Sequence, residues 1–215
     1  MALSRLNYNS LNVTPTASKG IGFDSGADDL AATFSGGSMT FISKVTSDGS
    51  DDDLSFTSGI DSTYKEYLFI LNNIHSEADD TALQVNFRDG STAFDAPKST
   101  TFFWSYHDEA DTQTALVYVA GSDVHNGTGA QFLGNLGFDN DQAYSGYLHL
   151  FNPSSTTFIK QFIARGNWSS SGNFTADGYV GGYCNTTTAI DGVQFKMVSG
   201  DIDAGQIKLY GIKDS

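Results

Sequence analysis

The chain has 215 residues, enough for one large all-β domain or one domain with an arm. Folding at that length hides roughly 70% of the extended chain's surface, so a sizeable core is available. Asp and Glu outnumber Lys and Arg by 25 to 11, a formal net charge of −14 that argues against binding to nucleic acid or an anionic membrane.

Charged residues make up 17% of the chain, below the usual ~25%, and aromatics reach 13%. Gly, Ser, Thr, Asn and Asp are abundant and Pro is scarce, which is the makeup of short strands joined by many turns. No run of about 18 apolar residues is present to span a bilayer. The opening MALSRLNYNSLNV lacks a signal-peptide core, so the expectation is a protein that folds where it is made. Cys184 is the single cysteine; an intrachain disulfide is excluded, and a buried, inert thiol is expected.

Residues 1–36 carry scattered apolar side chains (Leu3, Leu6, Tyr8, Leu11, Val13) followed by a stretch of small and turn residues. Two readings fit: a solvated terminus, or an extended N-terminal arm that orders against a neighbouring subunit. The repeated apolar residues favour the arm, with those five as subunit-interface residues. Residues 37–215 then read as a β-sandwich domain. Met39 to Val45 is its first strand candidate, an acidic turn follows, and then Leu54 to Phe56. Lys65 to Ile74 is apolar on both faces in its middle, which implies burial on both sides or an aromatic face at an interface. Ala82 to Arg88 alternates, with Leu83, Val85 and Phe87 inward.

Thr100 to Tyr106 is rich in aromatics, and Phe102, Phe103 and Trp104 are expected to fill the core. Leu116 to Ala120 is another short strand, and residues 121–146 read as a long glycine-rich loop. Gly146 to Phe151 and Thr157 to Arg165 flank Asn152-Pro153-Ser154-Ser155, the clearest hairpin in the chain. Tyr179 to Tyr183 suggests a short strand, and Ala189 to Val198 alternates with Val193, Phe195 and Met197 inward. Gln206 to Ile212 closes the series, with Ile207, Leu209 and Gly211 on one face; a strand this regular is expected to be central in its sheet. Nine or ten such strands predict an all-β, antiparallel β-sandwich, jelly-roll-like, with an extended N-terminal arm.

No arrangement of residues points to a reaction. The histidines His75, His107, His125 and His149 lack metal-ligand spacing, so neither a catalytic residue nor a metal ligand is assigned. The clusters Asp48/Asp51/Asp52/Asp53, Asp79/Asp80, Asp139/Asp141 and Asp201/Asp203 read as solvated turns, with a structural calcium in one loop as the minor alternative and no other cofactor expected. A glycosidase carboxylate pair has no specific signature among 25 acids. Trp168, placed by its neighbours in a loop, and Tyr144 are the candidates for a sugar-stacking platform.

The segments DSTYKEYLFILNNIH, FNPSSTTFIKQFIA and GQIKLYGIK resemble stretches of virion-associated proteins of marine tailed bacteriophages. Such proteins open with an LNYNSLNV-like stretch and end in a Ser-Gly-x-Ile-x-x-Gly-x-Ile-x-Leu-Tyr-Gly-Ile run, here Ser199 to Ile212. The resemblance implies a non-enzymatic structural protein, a capsid decoration or tail-associated component, made in the host cytoplasm and ending in the virion. Its implied partners are other virion proteins and further copies of itself, with a host surface glycan as the partner if it is instead a receptor-binding tail-fibre module. A polysaccharide hydrolase is the third reading. The resemblance carries no catalytic residue.

Overall fold

The structure is a computed structural model that describes residues 19–23, 30–35 and 38–214. The chain divides into two compact units, the second running from Phe41 to Asp214. In the first, β1 (Lys19–Phe23) pairs antiparallel with β2 (Leu30–Ser35), Lys19 opposite Ser35 and Phe23 opposite Leu30. This hairpin corrects the expectation of a wholly extended stretch over residues 1–36. Its strands are short and rich in Gly and Ala, which have low strand propensity, so they leave little alternation to read. Leu3, Leu6, Tyr8, Leu11 and Val13 lie outside the described residues.

Twelve further strands follow: β3 (Met39–Thr46), β4 (Asp53–Phe56), β5 (Glu66–Ser76), β6 (Thr81–Arg88), β7 (Lys98–Asp108), β8 (Thr114–Tyr118), β9 (Gln131–Leu136), β10 (Tyr144–Phe151), β11 (Lys160–Ser169), β12 (Phe174–Cys184), β13 (Gly192–Met197) and β14 (Ile202–Ile212). They form two antiparallel sheets packed on each other. The larger has the order β3-β14-β5-β10-β11-β12-β7-β8, and the smaller β4-β13-β6-β9. Among the described residues there is no α-helix.

The strand order resolves into a jelly roll with an addition. β3-β14-β5-β10 and β4-β13-β6-β9 are its two halves; the chain passes between the sheets at β3–β4, β4–β5, β5–β6, β9–β10 and β13–β14, and again on entering and leaving the added strands at β6–β7, β8–β9 and β12–β13. That is the eight-stranded double Greek key. The other four strands enter as two insertions, β7–β8 between β6 and β9 and β11–β12 between β10 and β13. They join each other through β12 and β7, which pair over eleven positions from Phe174–Asp108 to Cys184–Lys98. The result is a four-stranded wing that widens one sheet only. β14, the closing strand, lies between β3 and β5, and its Ile207 and Leu209 are fully buried.

The smaller sheet reaches part of the wing's inner face, with Phe132 on Phe102 at 5.0 Å, Phe87 on Phe162 at 4.7 Å and Gly134 against Trp168, and two further devices help to close the rest. First, large rings lie flat on glycines. Gly146, Gly166, Gly178 and Trp104 face each other in one row across β10, β11, β12 and β7. The next row is Tyr144, Trp168, Ala176 and Tyr106. A Cβ on Gly166 would sit 2.1 Å from Tyr144 Cζ, and one on Gly178 would sit 2.7 Å from Trp168 Cζ3. The glycines are therefore the floor on which Tyr144 and Trp168 rest, and Trp168 stacks in turn on Trp104 at 5.6 Å. Second, the segment 119–131 folds back along β7. The backbones of Lys98 and Gly127 exchange two hydrogen bonds, Thr100 donates to the Val124 carbonyl, and the Phe102 N–H donates to Asp123 Oδ1.

This packing predicts a contrast between glycines. Gly166→Ala drives a methyl into Tyr144 and should destabilise the protein by about 1–3 kcal/mol, as overpacking does. At about 2–4 °C per kcal/mol that lowers the melting temperature by roughly 2–12 °C. Gly181→Ala, on the outer face of β12 where no atom lies within 4 Å of the added methyl, should leave it within about 2 °C. Differential scanning calorimetry of both variants reads the difference.

Candidate interaction surface

Trp168 and Tyr144, read as loop residues exposed to a glycan, are each only 1% exposed. Trp168 lies within β11 and Tyr144 begins β10, side by side on the inward face. The turn-rich neighbours of Trp168 hide the strand that carries it, and the glycine floor gives its ring a place to lie. Both are core residues, and no sugar platform can be built on them. Of the three aromatics expected in the core, Phe102 is buried, Trp104 is partly buried against it, and Phe103 points out of the opposite face.

The polar clusters are occupied by structural work. His75 Nδ1 lies 2.6 Å from Asp203 Oδ1, and His75 Nε2 lies 3.0 Å from the Asp139 carbonyl. A carbonyl can only accept, so Nε2 carries a proton, and the charged imidazolium donates on both sides. Burial alone would lower the His75 pKa, but the Asp139 carbonyl and the Asp203 carboxylate outweigh it and hold it above 6.5. With both nitrogens engaged, His75 ties β5, β14 and the β9–β10 connection together and is not free to act as a base. His149 sits 2.8 Å from Glu66 and packs on Phe151 at 4.1 Å. Asp48 and Asp51 accept hydrogen bonds from their own turn. Among the described residues, no group of three His, Cys, Asp or Glu side chains is arranged to hold a metal ion.

Lys98 and Lys160 are fully buried, and register places Cys184 of β12 opposite both. Lys98 Nζ donates to the Gly129 carbonyl at 2.8 Å, and Lys160 Nζ donates to the carbonyls of Thr186 and Thr188. Burial pulls the Lys98 ammonium down to about 8, lowers that of Lys160, and pushes the Cys184 thiol up to about 12. The two lysines pin loops at one end of the sandwich, and the thiol is held protonated and unreactive.

Among the described residues, a broad exposed feature is the outer face of the eight-stranded sheet. Register builds a continuous row across seven strands: Lys208, Ile70, Tyr147, Arg165, Tyr179, Phe103 and Tyr118. The row beside it holds Tyr210, Leu68, His149 and Ile163. On the wing Leu116 is 74% exposed, Tyr118 60% and Ile163 49%. Tyr179 is enclosed on both ring faces. Phe103 stacks on one at 4.8 Å with only 3° between the planes, and the Arg165 guanidinium covers the other at 4.7 Å. Arg165 is held in turn by Asp177 at 2.7 Å, and the pair pushes the Arg165 pKa up and the Asp177 pKa down. A sugar stacks on an open ring face, and Tyr179 offers none.

This surface was partly announced by the sequence, since β5 reads as apolar on both faces. Tyr67, Phe69 and Leu71 are buried inward while Leu68 and Ile70 face outward. The wing's share was not announced, because Phe103 was expected in the core and the runs holding Tyr179 and Ile163 were not assigned an outward face. Compared with protein-family profiles and with the curated proteins, the chain matches none.

The imidazolium pin has a pH signature. Because the folded-state pKa of His75 is raised, its stabilisation is fully present below pH 6.5 and is lost as pH rises through the folded pKa. Urea unfolding of wild type and His75→Gln should therefore differ most below pH 6.5, and the gap should narrow toward pH 8 and above.

Proposed function

We propose that this protein is a non-enzymatic structural component of a tailed-bacteriophage virion, a capsid decoration or tail-associated protein, attached through residues 1–36. The specific assignment rests on the resemblance carried by residues 6–13, 61–75, 151–164 and 199–212. The observation that carries an assembly role is the broad aromatic outer face of the wing, on a chain whose acidic surface otherwise keeps copies apart.

The architecture supports the same reading by analogy. Viral capsid domains use jelly rolls, although a fold alone does not fix a function. A sandwich of this kind forms in a reducing compartment without disulfides, as a protein assembled inside a bacterial host must. Separate attachment and body segments suit a repetitive scaffold, where many weak arms add through avidity.

Deletion of residues 2–19 should leave a folded domain with the near-ultraviolet dichroism and melting temperature of the full chain, but one that no longer sediments with particles. A truncated protein that still joins particles in normal amount would defeat attachment through the arm.

A further inference from the structure

We infer that the outer face of the eight-stranded sheet, centred on the wing, is the contact through which two copies of this chain pair in solution, sheet face against sheet face. The inference builds on reading that face as an assembly surface and adds what covers it.

Charge selects the occupant. The chain carries −14 overall, so two copies repel over most of their surfaces. Across the paired rows of the outer face, the carboxylates of Glu66 and Asp177 are balanced by Arg165 and Lys208. Arg165 and Asp177 already neutralise each other within one copy. With Asp123 at its rim accepting from Tyr118, the face is one where a second acidic body meets less repulsion than elsewhere, and it presents Leu116, Tyr118 and Ile163 for burial. A strongly basic partner would be drawn instead to the acidic flanks.

Size agrees with self-pairing. From the wing the face continues across β10, β5 and β14, so seven strands at ~4.8 Å spacing span roughly 30 Å, and the two named rows with the row of Leu116 span roughly 20 Å. The footprint is on the order of 600 Å² before side-chain relief is counted, the scale of the ~800 Å² each partner buries in a stable interface. The wing is also the part that the eight-stranded jelly roll does not require, so its outer face owes nothing to closing the core. A twofold axis through this face makes the contact self-complementary and closed.

Sedimentation velocity of the full chain from about 1 µM to about 100 µM should show a monomer–dimer equilibrium that tightens with salt, as screening relieves the residual repulsion. Leu116→Asp and Ile163→Asp should each weaken pairing by about tenfold or more, with melting temperatures within about 2 °C of wild type. Val198→Asp, exposed beyond β13 of the smaller sheet, should pair as wild type does. A chain that stays monomeric at about 100 µM, or outer-face variants that pair as tightly as Val198→Asp, would overturn the inference. The attachment reading stands or falls separately. A monomeric wild type that binds particles through residues 2–19 removes only the dimer, and a dimer that binds particles without those residues removes only the arm.

Discussion

The structure turns on a mismatch: eight strands in one sheet, four in the other. A sandwich buries its core by apposing two apolar faces, and here four strands must serve a face twice as wide, with β9 reaching the wing through Gly134 at Trp168 and Phe132 on Phe102. Part of the wing's inner side would stay exposed without a cover of its own. The glycine row supplies it from within, because the lack of side chains at Gly166 and Gly178 lets Tyr144 and Trp168 lie against the backbone. The folded-back segment 119–131 supplies the remainder, held by β7 and by the buried ammonium of Lys98. Both devices place groups that are ordinarily costly in a sheet, glycine and a buried charge, where their small size or donor count is needed.

Once its inner face is sealed, the wing frees its outer face for other uses. On that side Phe103, Tyr179 and Arg165 stack face to face along a row, and Arg165 and Asp177 cancel each other's charge. The polar groups elsewhere are consumed by structure. His75 bridges three segments, Asp48 and Asp51 shape their own turn, and the two inward lysines hold loop carbonyls. These side chains are committed to the scaffold, while the outer face of the wing is apolar.

Strands with one buried face were legible from alternation alone. β6, β13 and β14 place Leu83, Val85, Phe87, Val193, Phe195, Ile207 and Leu209 inward as their patterns require, and β14 lies inside its sheet as its regularity suggested. β12 was legible only in part. It spans eleven residues, yet Gly178, Gly181 and Gly182 disguise most of it as a loop. β9 was lost for a similar reason, since Gly134 lies under Trp168 and breaks the expected pattern of QFLGNL. Trp168 itself was misplaced because the sequence shows its turn-forming neighbours and not the glycines on adjacent strands. What the chain concealed depends on pairs of residues far apart in sequence, which a local pattern cannot encode.

The place of β14 has a kinetic consequence. β3 has no sheet neighbour among the described strands except β14, which lies more than 150 residues further along the chain. Until that late segment arrives, the edge of β5 that will receive it stands open, and β3 has nothing to join. Such long-range closure is slow by the standards of small domains, in the range of milliseconds to seconds, and it leaves unpaired edges exposed during synthesis. A dense acidic charge on the nascent chain would then serve a second purpose, holding half-made copies apart through the interval in which their open edges could zip together.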